Sequence, residues 1–193
     1  MTWTNRWPGA TVVVLASGPS LTDEDIETVR QWREGGDDRH VIVTNTTYQS
    51  ALWADAVFFH DFKWWAKYRH DIVKRFQGDK VSICSVQSPH VCRLRPPTFN
   101  AFGNSGAGAI SLAIYAGATR VIALGIDCAT DNGKRHHFGD HPQGLGNARS
   151  LPKWPNGFKK LAGHAQLKGV EVINASRKTA LECFERQPLE AVL

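Results

Sequence analysis

The sequence predicts a single α/β domain, in which a mostly parallel β-sheet lies between two layers of helices. Short runs rich in β-branched residues alternate along the chain with longer segments of helical periodicity, as in repeated strand–helix–strand units. The 193 residues are enough for one hydrophobic core, and they contain neither an internal repeat nor a linker. We therefore expect one Rossmann-like domain over residues 1–193, a three-layer sandwich with helices on both faces of the sheet.

The elements follow from hydrophobic periodicity and from turn residues. Strands are predicted at 11–16, 40–44, 54–59, 81–84, near 90–94, 120–124 and 170–174. Helices are predicted at 22–34, 47–52, 62–75, 157–168 and Lys178–Cys183, with a further helix of small residues between Gly103 and Tyr115. The stretch 130–156 is rich in Gly, His, Asn and Pro and has little periodicity. A loop of this length in a compact domain is usually functional or mobile.

The turn after the first strand is the first candidate site. Ser17-Gly18-Pro19-Ser20 breaks the chain sharply, and Ser20 or Thr22 can cap the helix that follows. A glycine lets the backbone approach a ligand closely, and the free amides of a helix start favour an anion. The turn lacks the second glycine of a dinucleotide fingerprint and the lysine of a Walker A loop. An ordinary tight turn is the alternative.

Polar side chains recur where the predicted strands end. In a parallel sheet these ends meet at one edge, and ligands bind in the crevice outside it. We therefore expect the recurring residues to form one site: Ser17, Ser20, Asn45, Asp61, Asn104, Ser105 and Asp127.

The densest group of titratable residues lies in the long loop. It contains His136, His137 and His141 with Asp140, and imidazoles near neutral pKa suit acid–base catalysis or contact with phosphate. A structural loop and a metal site are the alternatives, although Gly139 and Pro142 argue against the helix that a His137–His141 metal pair would need. Separately, Asp61 and Asp127 at neighbouring strand ends form a possible pair of Mg²⁺ ligands.

Charge and composition restrict the partners. The net charge is +5 with a pI near 9.2, which suits nucleotides, phosphosugars or nucleic acid. The four scattered cysteines are typical of reduced thiols in a cytoplasmic protein. The sequence shows no signal peptide and no apolar run long enough for a bilayer span. We expect a cytoplasmic location, and a homo-oligomer is possible.

Several of these motifs together resemble a known group. Gly18-Pro19-Ser20-Leu21 is similar to the G-x-G-P-S-L turn of the motility-associated glycosyltransferase-like proteins, the archaeal 6-hydroxymethylpterin diphosphokinases and the bacterial sialyltransferases that use CMP-sialic acid. The resemblance continues in order through Asn45, Ala54-Asp55 with Asp61, Asn104-Ser105-Gly106, Gly125-Ile126-Asp127 and 172–176. Compact members encoded by bacteriophages contain a segment like 137–142. Ala16 replaces the first glycine, and Ala129 replaces a phosphate-binding tyrosine of the sialyltransferases.

The resemblance implies a nucleotide site. Gly18, Pro19 and Ser20 would lie against the phosphate or ribose. Asn45 and Asp61 would surround the donor, and Asn104, Ser105 and Gly106 would contact the base or phosphate. Asp127 would hold ribose hydroxyls or a metal, and His137 or His141 would serve as the acid–base group.

Three functions remain open at this point. The first is a transferase, most simply glycosyltransferase-like, that binds a nucleotide or nucleotide-sugar donor. The second is a Mg²⁺-dependent diphosphokinase that uses ATP on a pterin-like alcohol. The third is a non-catalytic nucleotide-binding or phage interaction protein that has kept the fold. Nucleic acid is a weaker candidate for the acceptor, since no known nucleic-acid-binding motif is present in the sequence.

Overall fold

The computed structural model describes residues 2–146 and 151–193. The strands are β1 Thr11–Leu15, β2 Arg39–Thr44, β3 Ala56–Phe59, β4 Asp79–Ser82, β5 Val91–Arg93, β6 Arg120–Leu124, β7 Glu171–Asn174 and β8 Glu185–Arg186. The α-helices are α1 Asp23–Glu34, α2 Phe62–Arg75, α3 Ser105–Tyr115 and α4 Trp154–Leu167. Short 3₁₀ turns cover Asn45–Gln49, Leu151–Lys153 and Leu189–Ala191.

All eight strands form one parallel sheet in the order β5-β4-β3-β2-β1-β6-β7-β8. The predicted Rossmann-like α/β fold is therefore confirmed. The chain adds strands outward from β1 to β5 and then returns to place β6 on the other side of β1. Leu15 of β1 therefore pairs with Val43 of β2 on one side and with Leu124 of β6 on the other. The loops after β1 and β6 consequently leave the sheet toward opposite faces. A ligand crevice is expected at this switch point.

The central strands are buried on both faces, because helices cover the sheet on both sides. Successive side chains of a strand point to opposite faces, so each strand contributes to both cores. On one face Val13 and Leu15 pack with α1 and α2, and on the other Val12 and Val14 pack with α3 and α4. All four of these side chains are fully buried. The two hydrophobic cores hold the sheet rigidly between its helices, so that the loops at its carboxyl edge are carried on a fixed support.

Small residues let α3 lie close against the sheet. A Cβ atom placed on Gly108 would overlap Cε1 of Phe58, a β3 residue that is fully buried. Residues 107–114 of α3 are all buried. The close approach places the first turn of this helix directly over the carboxyl edge of the sheet.

The C-terminal segment differs from the prediction. The helix expected over Lys178–Cys183 is wrong, because polar groups of this segment bond to the loop after β6 instead of closing helical turns. The Thr179 hydroxyl donates to the Ile126 carbonyl at 2.8 Å, and the Ala180 amide donates to the Asp127 carbonyl at 2.8 Å. The chain then adds β8, which the sequence analysis missed, beside β7.

Three further boundaries shift. The short helix expected at 47–52 is a 3₁₀ turn over Asn45–Gln49, and the fourth strand ends at Ser82. Helix α4 begins at Trp154, so that the end of the predicted loop 130–156 is helical. Residues 147–150 of that loop lie outside the described residues. None of the helices in the described part of the chain is long and apolar enough to cross a lipid bilayer.

Two glycine substitutions test the packing of α3. Gly108→Ala should lower the free energy of unfolding by about 1 to 3 kcal/mol, because the new methyl group overlaps the buried Phe58 ring. Gly163→Ala is the matched control in α4, where a Cβ atom would meet nothing within 4 Å. It should raise stability by about 0.5 to 1 kcal/mol through the gain in helix propensity. Urea unfolding measures both, and equal effects of the two substitutions would contradict the packing described here.

Candidate functional site

A cavity of about 620 Å³ opens at the carboxyl edge of the sheet, at the switch point between β1 and β6. Its walls come from the loops after β1, β2, β3 and β6 and from the starts of α3 and α4. The residues from the sequence analysis that line it are Gly18, Pro19, Asn45, Asp61, Asn104, Ser105, Gly106, Asp127 and His141. The structure thus brings nine of the eleven proposed site residues around one space; their roles there stay predictions.

The two residues outside the cavity wall are Ser20 and His137. The Ser20 amide and hydroxyl both donate to the Asp127 carboxylate, each at 2.7 Å. The His137 amide donates to the Ser17 carbonyl at 3.1 Å, and burial lowers the pKa of its imidazole to about 4. Both residues therefore hold loops in place beside the cavity instead of forming its surface.

Gly18 is needed for loop packing. Its amide donates to the Gly125 carbonyl at 2.8 Å, and a Cβ atom on Gly18 would lie 2.5 Å from that oxygen. It would lie equally close to Oδ1 of Asp127. The close approach that this glycine permits is therefore to the loop after β6, whereas the sequence analysis expected an approach to the ligand.

The start of α1, where the sequence predicts an anion site, offers few free donors. Thr22 and Asp25 form a reciprocal capping box, in which the Thr22 hydroxyl accepts from the Asp25 amide at 3.1 Å. The first turn also carries Asp23 and Glu24, and the Ser20 amide before it is already bonded to Asp127. Three carboxylates at this helix start repel an anion.

The start of α3 has the opposite character. Asn104 caps it, since its Oδ1 accepts from the Ala107 amide at 2.8 Å. The Ser105 and Gly106 amides have no intrahelical acceptor, because a helix leaves its first amides unpaired. Both residues line the cavity. Asn104 is 8% exposed, and its Nδ2 has no partner among the described residues. The positive end of an 11-residue helix, with its unpaired first amides, thus borders the cavity.

Two residues at the cavity have left-handed backbone conformations. Asn45 has φ +46° and directly follows β2, and Cys128 has φ +48° in the loop after β6. Asparagine adopts this conformation more readily than most residues, so the conformation is the more unusual at Cys128. Strained backbone of this kind is concentrated at functional sites. The Asn45 carbonyl oxygen of the side chain accepts from the Ser105 hydroxyl at 3.3 Å, which joins the end of β2 to the start of α3.

Three imidazoles line the cavity. They belong to His60, His136 and His141, and burial lowers the pKa of each. The His136 pKa falls to about 4, mainly by burial and further through His141. Its Nδ1 lies 3.2 Å from the Ser17 hydroxyl, and its buried Nε2 has no partner among the described residues. These rings are neutral near pH 7, the state in which an imidazole can accept a proton.

The two cavity carboxylates differ in what their oxygens do. Asp127 is 3% exposed, and each of its oxygens accepts a hydrogen bond from Ser20. Burial raises its pKa to about 6, against the lowering effect of those bonds. Asp61 is exposed and caps α2 through Oδ1, which accepts from the Lys63 amide at 2.7 Å. Within residues 2–146 and 151–193, no three His, Cys, Asp or Glu side chains are arranged to hold a metal ion.

Several wall residues were missed by the sequence analysis. His60 directly follows β3, so the same strand-end pattern that selected Asp61 could have found it. His136 was recognised as part of the histidine cluster, yet His137 was selected in its place. The apolar wall from α4 had no signal in the sequence, because it depends on where that helix packs: Trp154 and Phe158.

Replacing Asp127 by asparagine should remove a pH-dependent part of the stability. The folded state raises this pKa from 3.8 to about 6. The carboxyl group therefore contributes stability that is fully present below about pH 4 and is lost as the pH rises through about 6. Relative to Asp127→Asn, the native protein should lose roughly 2 to 3 kcal/mol of unfolding free energy between pH 4 and pH 7. Urea unfolding of both proteins across this range measures the difference.

The asparagine is a conservative replacement at this position. Its Oδ1 can accept from the Ser20 amide, and its Nδ2 can donate to the Ser20 hydroxyl, so both bonds between the loops persist. Taking the difference between the two proteins removes the contributions of His136 and His137, which both contain. A difference that stays constant from pH 4 to pH 7 would show that Asp127 does not titrate as described.

A comparison of the chain with models of known protein families and with curated proteins finds no match. The case for a site therefore depends on the geometry of the described residues. That geometry combines a cavity at the switch point, a helix start with unused amides and three imidazoles whose pKa is lowered by burial.

Proposed function

We propose that this protein is a transferase that binds a nucleotide-activated donor in the switch-point cavity, with glycosyltransferase-like chemistry. The observation that carries the proposal is the start of α3, whose unpaired amides face the cavity beside neutral imidazoles. It supplies what such a transfer needs, namely a place for an anionic leaving group and a proton acceptor close by.

The phosphate of the donor fits best at the start of α3. The Ser105 and Gly106 amides provide donors without an acceptor inside the helix. Arg135 also lines the cavity, with its guanidinium 3.3 Å from the Asp140 carboxylate. The loop 18–21 is less suited to this role, since its Gly18, Ser20 and Leu21 amides already donate within the protein.

The remainder of the donor would occupy the space between polar and apolar walls. Ile126, Trp154 and Phe158 provide an apolar wall for the flat face of a base. Gly18 and Pro19 line another side of the cavity and have no free amide donor. Asn45 bonds to Ser105 and stands next to the expected phosphate position. Apolar walls with a few convergent polar groups are typical of small-molecule sites.

The proposed reaction uses an imidazole as base. A neutral His141 takes the proton from an acceptor hydroxyl, whose oxygen forms a bond to the transferred group. The bond from that group to the donor phosphate breaks at the same centre. The electron pair leaves with the phosphate oxygen, where the amides at the start of α3 stabilise the added charge. The hydroxyl of Ser17 holds the His136 ring in position through Nδ1.

The diphosphokinase alternative requires a metal at the phosphates. Both oxygens of Asp127 already accept hydrogen bonds from Ser20 and the residue is 3% exposed, so little of this carboxylate is open to a Mg²⁺ ion shared with Asp61. No contact among residues 2–146 and 151–193 favours this arrangement.

A thermal-shift screen with CMP, CDP, UDP, GDP and ATP, each with and without Mg²⁺, tests the proposal. A ligand that binds the folded state raises the melting temperature according to its affinity. We expect a pyrimidine nucleotide to raise it without Mg²⁺. Asn45→Asp should weaken the binding of that nucleotide at least about tenfold, because the substitution places a negative charge beside the proposed phosphate position.

Asn5→Asp is the matched control. Asn5 also has a left-handed backbone, with φ +53°, but it is exposed and its amide bonds to the Tyr115 carbonyl at the opposite end of α3. The same change of charge there should leave nucleotide binding unaltered. A shift only with ATP and Mg²⁺ would support the diphosphokinase instead. No shift with any nucleotide, or equal loss in both variants, would overturn the proposed site.

A further inference from the structure

Helix α2 concentrates the positive charge of the protein. Its 14 residues include five basic side chains and one acidic side chain, which gives it a net charge of +4, whereas the whole chain carries +5. Helix α1 packs on the same face of the sheet and carries five acidic and two basic residues. This face of the molecule is therefore polarised, with an excess of positive charge on α2 and of negative charge on α1.

Three lysines form a stripe along the solvent side of α2. Lys63, Lys67 and Lys74 are exposed and follow one another at spacings of four and seven residues, which places them on one helix face. The stripe is about 16 Å long at the usual helical rise. The one acid of the helix, Asp71, does not neutralise it, since Asp71 pairs with Arg75 at 3.4 Å and accepts from Tyr48.

An exposed aromatic ring connects the stripe to the cavity. Phe62 is the first residue of α2, is 58% exposed and lines the cavity mouth. A large apolar side chain this exposed is uncommon in the structure. The two tryptophans of the same helix pack into the core instead, since Trp64 and Trp65 are 2% and 5% exposed. Phe62 directly precedes Lys63, so the ring lies beside the end of the stripe that is nearest the cavity.

We infer that this surface binds a single-stranded nucleic acid, with phosphates along the three lysines and a base stacked on Phe62. Grooves for single strands combine cations that follow the backbone with aromatic rings on which bases stack. The inference rests on the proposed function in one respect, because it makes a nucleotide of the bound strand the acceptor presented at the cavity mouth. The binding itself does not require a donor.

The observations favour a nucleic acid over an anionic membrane. An interfacial helix inserts an apolar face into the lipid, but the apolar face of α2 is committed to the sheet through Trp64, Trp65 and Ile72. They also favour an unpaired strand over a duplex, since the Phe62 ring can stack only on a base that is free of its pair.

Fluorescence anisotropy with a labelled oligothymidylate of about 12 nucleotides tests the inference. The triple variant Lys63→Ala/Lys67→Ala/Lys74→Ala should weaken binding at least about tenfold. It should also reduce the salt dependence, lowering the slope of log affinity against log salt by about 2, as expected for three lost phosphate contacts. Phe62→Ala should weaken binding about fivefold or more and leave the slope unchanged.

The matched control is Lys159→Ala/Lys160→Ala/Lys168→Ala. It removes the same charge from exposed lysines in and just after α4, on the other face of the sheet. Oligothymidylate binding should be retained in this variant. Equal losses in the two triple variants would overturn the inference, because binding would then follow net charge alone.

Two further measurements complete the test. Vesicles of anionic lipid and polyglutamate serve as competing anions, and displacement of the oligothymidylate by either at equal charge would overturn the assignment to nucleic acid. The thermal shift with nucleotides is measured on the same variants and should be unchanged in the α2 triple variant. If the native protein binds nucleotides but no oligothymidylate, the inference fails and the proposed function stands. If it binds the strand but no nucleotide, the proposed function fails and the docking surface stands.

Discussion

The carboxylate of Asp127 joins the two loops on which the cavity depends. It accepts hydrogen bonds from both the amide and the hydroxyl of Ser20, and so connects the loop after β6 to the loop after β1 across the switch point. Gly18 and Gly125 allow these loops to touch through a backbone bond at 2.8 Å. The arrangement costs free energy, because a carboxylate that is 3% exposed is poorly hydrated. The same contact holds the two loops together as one wall of the cavity, which includes Pro19 and Cys128.

Most of the fold could be predicted, since it depends on local patterns. The β-branched runs identify the central strands, and helix α2 has the bounds that its periodicity predicted. The failures have a tertiary origin. The segment around Thr179 has the composition of a short helix, but its hydroxyl and the Ala180 amide find acceptors in the loop after β6. A strand of two residues such as β8 is too short to leave a periodic signal.

The candidate site was predictable in position and less so in detail. The strand-end rule identified seven residues, and all of them except Ser20 line one cavity, because the carboxyl ends of parallel strands share an edge whatever the exact packing. It could not separate a residue that faces the space from one that faces the protein. Ser20 and Gly18 occur in the most conspicuous motif of the sequence, yet their polar groups serve the contact between loops. Only coordinates reveal that the unused donors belong to α3 and that His136, not His137, faces the cavity.

The brevity of the outermost strands has a consequence for association between molecules. β5 has three residues and β8 has two, so each side of the sheet ends in a very small number of main-chain groups open to another chain. Long unpaired edges invite intermolecular strand addition, and short ones discourage it. A sheet made of nearly continuous apolar runs thus tapers at both margins. Such short margins disfavour an extension of the sheet from one molecule into the next.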